Sequence, residues 1–330
     1  MGFRRGFRLV SAKPNHASSG MMRKSRSNRG TVPTMKSGKR TPSDPAESPS
    51  RFGRSNPAVP TPSLSTGTKR VLRWEAGSAP RRVDDELASE EPLEIQVDTR
   101  PVSVTMRTPG HDDELAVGFL LSEGLIRRRR DIVRVSPYSR NRQGNAVNVF
   151  LAPGVSIDFT QLTRHVFASS SCGLCGKATI QAVHQHFEPT KSTMVVSART
   201  LLGLPDGLRQ SQEAFERTGG LHAAGLFDAR GNLLVAREDI GRHNAVDKVI
   251  GFALLRELLP LDRHILMVSG RASFEIMQKA LAGRIAMVAA VSAPSTLAVQ
   301  FARASGQTLV GFLRGNRMNV YCRPKRIRFE

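Results

Sequence analysis

Cys172 and Cys175 stand three positions apart in "SSCGLCGK" (170–177), each followed by a glycine, Gly173 and Gly176. Two thiols so placed could hold a metal, exchange a disulfide, carry sulfur or simply pack in a tight turn. A structural zinc site needs four ligands. There is no second CxxC, Cys322 is isolated near the C-terminus, and His184 and His186 lack the usual histidine spacing. Zinc deaminase chemistry wants a proline before its cysteine pair. Ser171 stands there, and the run His111 to Glu114 has the wrong spacing for the partner motif. A thioredoxin-like site caps a helix after a strand and is followed by a proline loop; the order of elements around these cysteines does not match. Sulfur carriage needs less. One exposed thiolate takes the terminal sulfur of a donor persulfide, and a neighbouring thiol can assist its release. Lys177 and a helix start would help keep such a thiol ionised. The residues leave sulfur carriage open beside a structural role for the cysteines.

A second constellation suits an anion. Three loops, "SGRAS" (269–273), "SAPS" (292–295) and "RGNR" (314–317), each follow an apolar strand-like run. Their small residues let backbone N–H groups approach a phosphate, and two of them precede helix starts. Ser269, Arg271, Arg314 and Arg317 supply donors, and a guanidinium fork matches phosphate geometry. The segment "EDIGRHNAVDK" (238–248) adds Asp239, Arg242, His243, Asn244 and Asp247, with helix capping and surface pairing as the competing account. His222, before an apolar strand, reads as a satisfied core histidine.

These residues need a scaffold. "LEIQVDT" (93–99) and "PVSVTMR" (101–107) alternate with period two and read as a hairpin. Asp112, Asp113 and Glu114 suit a helix N-terminus, and Leu115, Phe119, Leu120 and Leu125 give its apolar stripe. "AVNVFLA" (146–152) reads as a strand, and the cysteines as a loop leading into a helix at "CGKATIQAVHQHF". From Gly219 a hairpin turning at Arg230-Gly231 is followed by alternating helices and strands. That order predicts an α/β fold with a mixed, mostly parallel sheet flanked by helices. In such sheets ligands bind beyond the carboxyl ends of the strands.

Composition narrows the classes. Residues Met1 to Pro80 hold 16 Lys and Arg against 3 Asp and Glu, and most of the net charge of +21. This stretch is Ser/Pro/Arg-rich with few aliphatics, too few to offset its ordering entropy. We read residues 1–82 as a disordered basic tail. Its "FRRGFRLV" start is only faintly like a twin-arginine signal, because no apolar segment follows. A transit peptide also fits; a solvated extension, or a true start at Met21, Met22 or Met35, fits better. No run of about 18 apolar residues exists, so no membrane span is expected. Three cysteines fit a reducing cytoplasm. Two Tyr and one Trp offer poor base-stacking platforms, so nucleic acid is not the expected partner. We place the N-terminal α+β subdomain at 83–168, a mobile CxxC loop and following helix at 169–186, and the main α/β domain at 187–330.

Seven stretches in order carry a resemblance: "RTPGHDDELAVGFLLSEGLI", "SSSCGLCGK", "TGGLHAAGLFD", "REDIGRHNAVDKVIG", "VSGRASFEIMQKA", "SAPSTLAVQFA" and "GFLRGNRMNVY". Together, over roughly Leu93 to Arg323, the chain resembles the formate dehydrogenase accessory sulfurtransferases (the FdhD family). The resemblance implies a cytidine-deaminase-like fold without the zinc, a cytoplasmic homodimer, and sulfur passed from a cysteine desulfurase to the molybdenum bis-guanine-dinucleotide cofactor before it enters formate dehydrogenase. It maps the persulfide to Cys172, the second motif cysteine to Cys175, and the cofactor segment to Phe312, Leu313, Arg314, Gly315, Asn316 and Arg317. No metal held by protein side chains is expected. A cofactor-binding chaperone with structural cysteines is the alternative. The long basic tail departs from the family pattern.

Overall fold

The computed structural model describes residues 65–137, 145–157 and 187–329. The tail before residue 65 and the cysteine stretch with its following helix lie outside the described residues.

The first element corrects the expected tail boundary. β1 (Thr66–Arg73) pairs antiparallel with β2 (Arg81–Ala88), from Thr66 opposite Ala88 to Arg73 opposite Arg81. Residues 66–82 read as tail from composition, with few aliphatic residues, and β1 is indeed mostly exposed. The strands are held by their backbone ladder, with exposed ion pairs that add little. Arg73 meets Asp85 at 3.0 Å, Arg81 meets Glu75 at 3.6 Å, and Arg217 ties Glu86 of β2 to the domain at 3.2 Å.

β3 (Glu91–Val97) and β4 (Arg100–Arg107) form the expected hairpin. Asp98 and Thr99 turn it with φ of 47° and 67°, the twist that joins antiparallel strands most directly. α1 (Asp112–Ser122) follows, then β5 (Ile132–Pro137) and β6 (Ala146–Leu151). The sheet order is β4-β3-β6-β5, with β3 and β6 parallel.

The remaining elements are β7 (Val196–Ser197), α2 (Ala198–Arg209), α3 (Glu213–Thr218), β8 (His222–Asp228), β9 (Leu233–Asp239), α4 (Arg242–Leu255), β10 (His264–Val268), α5 (Phe274–Ala282), β11 (Met287–Ala290), α6 (Thr296–Ala304), β12 (Thr308–Arg314), β13 (Arg317–Cys322) and β14 (Ile327–Arg328). The main sheet runs β13-β12-β11-β10-β8-β9, and β14 pairs with β7. The expectation of a mostly parallel sheet is corrected. Only β10, β11 and β12 are mutually parallel; β8, β9 and β13 join antiparallel. β8–β9 and β12–β13 are hairpins, and a hairpin must reverse the chain. "RGNR" is therefore the β12–β13 turn and not a loop after the last strand, with Gly315 at φ 57°.

The sheet's two faces sort its residues. Leu266 and Val268 of β10 and Val288 and Ala290 of β11 point into the larger core, under α4, α5 and α6. Ile265, Met267, Met287 and Ala289 point the other way, to a smaller core under α2. This is period-two alternation with both faces covered. α2 was missed in the sequence because Gly203, Pro205 and Gly207 read as breakers. It forms because Ser197 accepts the Thr200 N–H as N-cap and Leu201, Leu204 and Leu208 are buried on one stripe.

The larger core also takes in Leu93, Ile95, Val97, Val147 and Val149 of the N-terminal sheet. α1 and α4 carry that union. An added Cβ at Gly118 would overlap the Asp247 carbonyl, and one at Gly251 would overlap the Glu114 carbonyl. The two helices thus meet backbone on backbone, where only glycine fits.

Candidate functional site

One edge of the main sheet gathers the chemistry. β10, β11 and β12 end their carboxyl termini there, and antiparallel β8 begins there. β9 ends there, so α4 begins there too. Crossing the edge from β9 to β12 brings Arg242, His222, Ser269, Arg271, Ser292 and Arg314 into sequence.

A cavity of about 690 Å³ opens on this edge between the main sheet and the α2–α3 corner. Arg209, Phe215, His222, Ser269, Arg314 and Gly315 line it. Arg209 lies over the Phe215 ring, 4.6 Å from its centroid. Arg314 is exposed and has no carboxylate partner among the described residues. Phe312 takes φ 50°, an unfavourable value for an aromatic residue, at a register shift of the β12–β13 ladder. Its N–H is held by the Ser292 carbonyl at 3.1 Å. Arg314, at the end of that shift, lines the cavity.

The other expected residues divide. Ser269 is pinned at the strand end: its hydroxyl accepts the Ala223 N–H at 2.9 Å. Arg271 is exposed in the next loop. Leu313 is fully buried in the smaller core, so only its backbone can serve a ligand. Asn316 and Arg317 are exposed on the turn and the start of β13. The Ala272–Pro294 bridge ties "SGRAS" to "SAPS", and Ser295 caps α6 through the Ala298 N–H. Cys172 and Cys175 lie outside the described residues, as does Lys177. The chain does hold one His-x-Glu run, His186 to Glu188. It follows the cysteine pair, whereas the deaminase signature has it first.

Behind the edge lies a buried ionic layer. Asp239 is fully buried and meets Lys248 Nζ at 2.7 Å. It also accepts from the N–H of Gly241 and Thr108 and from Asn244 Nδ2. Within α4, Asp247 accepts from Lys279 Nζ at 2.7 Å and Ser122 Oγ at 2.9 Å. Burial pushes the Asp247 carboxyl up, opposed by Lys279 and Ser122. Glu114 takes Arg237 bidentately at 2.6 and 2.7 Å. So of the candidates in "EDIGRHNAVDK", Asp239, Asn244 and Asp247 are structural, and Arg242 and His243 remain toward the edge.

Two histidines there are held neutral. Burial lowers His222, and the nearby Arg242 and Arg271 lower it further. His243 is pushed down to about 4 by burial, with Lys279 and Arg242 adding to it. Sequence reasoning had His222 as a core residue. Its partner strand and the Gly270 loop place it instead at the rim, half-buried. The signal available was its position just before the first strand of the sheet. Arg209 and Phe215 came from elements the sequence reading did not see.

The family model described as FdhD/NarQ matches residues 88–328. The chain belongs to the FdhD/NarQ family. It is 53% identical over 273 residues to the sulfur carrier protein FdhD of Mycobacterium tuberculosis, covering 80% of this chain and 99% of that one. It is 49% identical over 270 residues to the protein of the same name in Streptomyces coelicolor, covering 79% and 95%. Among FdhD relatives the archaeal sulfur carrier of Sulfolobus acidocaldarius is 43% identical over 244 residues, covering 74% and 92%. The fold is also that of a crystal structure from Desulfotalea psychrophila assigned as a formate dehydrogenase accessory protein. The TM-score is 0.65 at 24% identity, over 80% of this chain and 99% of that one. The FdhD/NarQ match begins at residue 88, so β1 and nearly all of β2 fall outside the family model.

Proposed function

We propose that this protein is a sulfur carrier for formate dehydrogenase maturation, acting on an anionic cofactor held at the sheet edge. Relatives named sulfur carriers at about half identity over nearly their full length support it. The single structural observation behind the second half is the cavity lined by Arg209 and Arg314, beside Asp206, with neither arginine in an ion pair among the described residues. Guanidinium groups beside a cluster of strand ends suit a pyrophosphate. The molybdenum bis-guanine-dinucleotide cofactor carries two, and it is cargo here. Ser269, Arg271, Arg314, the backbone of Phe312 to Gly315, and Asn316 and Arg317 are the residues that would hold it. The sheet order β9-β8-β10-β11-β12 supports the cytidine-deaminase-like reading of the fold.

In this reading the Cys172 thiolate attacks the terminal sulfur of a desulfurase persulfide. The donor S–S bond breaks, the donor thiolate leaves, and Cys172 becomes the persulfide. Attack of the Cys175 thiolate on the inner sulfur then releases hydrosulfide and leaves a Cys172–Cys175 disulfide, which a cellular thiol reduces. The partners are a cysteine desulfurase, formate dehydrogenase and a second copy of the chain, in the cytoplasm. Treating the full chain with a desulfurase and labelled cysteine should add one sulfur to the intact mass, lost in Cys172→Ala. Equal labelling in that variant, or formate dehydrogenase restored by it, would instead favour a chaperone with structural cysteines.

A further inference from the structure

β1 is the outer strand of a two-stranded ribbon. Its partner β2 is backed by the rest of the domain. Arg217 of α3 reaches Glu86, and a Cβ built on Gly220 would meet the Ala88 side chain at 3.4 Å. Among the described residues nothing pairs with the other side of β1. The Ser89 N–H donates to the Ser65 carbonyl at 2.8 Å, which fixes the phase of the ladder. Odd-numbered residues of β1 turn their backbone groups to β2. Thr68, Arg70 and Leu72 therefore offer their N–H and C=O groups to the open side.

Folded proteins guard such an edge with a bulge, a proline, a cover or charge. The β1–β2 register runs unbroken from Thr66 to Arg73, and β1 holds no proline. Its guard is charge of one sign. Lys69, Arg70 and Arg73 lie along β1, and only Arg73 is in an ion pair among the described residues. Two copies of β1 laid edge to edge would set these cations against each other; an acidic strand would answer them. The ribbon also offers an anchor. Leu72 stands opposite Arg82 and Arg70 opposite Asp84 on one face, and Trp74 follows Leu72 at the same two-residue spacing. Glu86, on that face too, is engaged by Thr66 and Arg217. Leu72 is 68% exposed and Trp74 64%, the two most exposed large apolar side chains among the described residues. Trp and Arg dominate binding energy where proteins meet. Residues 1–64, which join the domain at this ribbon, carry 13 Lys and Arg against 2 Asp and Glu. That charge steers encounter toward an acidic partner.

We infer that β1 is a docking edge for a partner protein that presents an acidic, extended segment with an apolar anchor, added to the ribbon as a third strand. The backbone groups of Thr68, Arg70 and Leu72 set its register. Lys69 and Arg70 select its charge, and Leu72 and Trp74 bury its anchor. β1 lies before residue 88, where the family match begins, so the edge stands apart from the cargo site and does not depend on sulfur carriage.

Trp74 is the chain's only tryptophan, so its emission reads this edge directly. The probe is a short capped peptide with glutamate and leucine alternating on one face and threonine on the other. Titrated into the full chain, it should shift Trp74 emission to the blue. The same peptide N-methylated on alternate amides cannot join a ladder and should not bind. Arg70→Glu and Leu72→Thr should each weaken binding about tenfold. Both positions are exposed, so the domain should melt as the parent does. Val133→Asp, on β5 at an edge of the N-terminal sheet and 61% exposed, should leave the affinity unchanged. No emission shift, equal binding of the N-methylated peptide, or equal affinity in Arg70→Glu overturns the docking edge. With the peptide silent, a shift on phosphatidylglycerol vesicles assigns a lipid surface, and self-association abolished by Arg70→Glu assigns a second copy; either result overturns the acidic strand. Because the readout is Trp74, a failed persulfide assay leaves the edge standing.

Discussion

His243 sets the clearest residue-scale expectation. Its folded pKa is about 4 against an ordinary 6.5, so the unfolded chain binds the proton first as pH falls. Stability is full above about 6.5 and is lost as pH drops toward about 4. The cost is on the order of 3 kcal/mol for a group this buried. His111, His222 and His264 are lowered too and act in the same direction. Urea unfolding of His243→Gln should show a visibly shallower loss between pH 6.5 and 4.5 than the unaltered chain. Equal slopes would place the burial of His243 in doubt. At this scale the sequence named Arg271, Arg314 and Ser269 correctly as residues of one edge. It could not separate Asp239 and Asp247, buried beside lysines, from Arg242, because all three fall within one short polar stretch that runs from the end of β9 into α4. The roles divide by which way the end of β9 and the first turns of α4 face.

At the scale of elements, the α1–α4 crossing is the joint on which the edge depends. Gly118 and Gly251 leave no room for a methyl group, and the atoms that would be struck are backbone carbonyls. Gly251→Ala must push the helices apart or bend one. We expect a loss of about 3 kcal/mol, at the upper end of overpacking costs, read as a fall in melting temperature. Gly203→Ala, on an open part of α2, should not lower it. A Gly251→Ala chain as stable as the parent would show that the helices have slack. Strong periodic elements were legible from sequence: the β3–β4 hairpin, α1, the β8–β9 hairpin, and α4 through β12. Those missed share a cause. β1 is mostly exposed with few aliphatic residues, β5 is half-exposed, and α2 is interrupted by Gly and Pro, so period and breaker rules ran against the pairing and packing that form them.

Over the whole molecule, the expected N-terminal α+β subdomain and the main α/β domain draw on one core. Leu93, Ile95 and Val149 belong to the same buried cluster as Val249, Leu266 and Phe301. Lys248 links the parts further, donating to the Thr108 carbonyl at 2.9 Å and pairing with Asp239. Residues 65–329 should therefore unfold in a single transition, with calorimetry and far-UV circular dichroism coincident. Lys248→Met should lower that transition by about 3–5 kcal/mol through the stranded Asp239 carboxylate, without splitting it. Two separate transitions would refute the shared core.

The sequence alone determined the family, through seven motifs in order, and the chemistry on offer: a pair of thiols each followed by glycine, and arginines in small-residue loops. Those are local properties, written in residue type and spacing. Only the tertiary structure decided which of them meet. Antiparallel β8 and β9 bring His222 and Arg242 to the edge where β10 and β12 end. α2 and α3 wall a cavity there with Arg209 and Phe215. The sequence could not show this, because an edge is made by strand order and direction, and these follow from long-range pairing that no short window of residues contains.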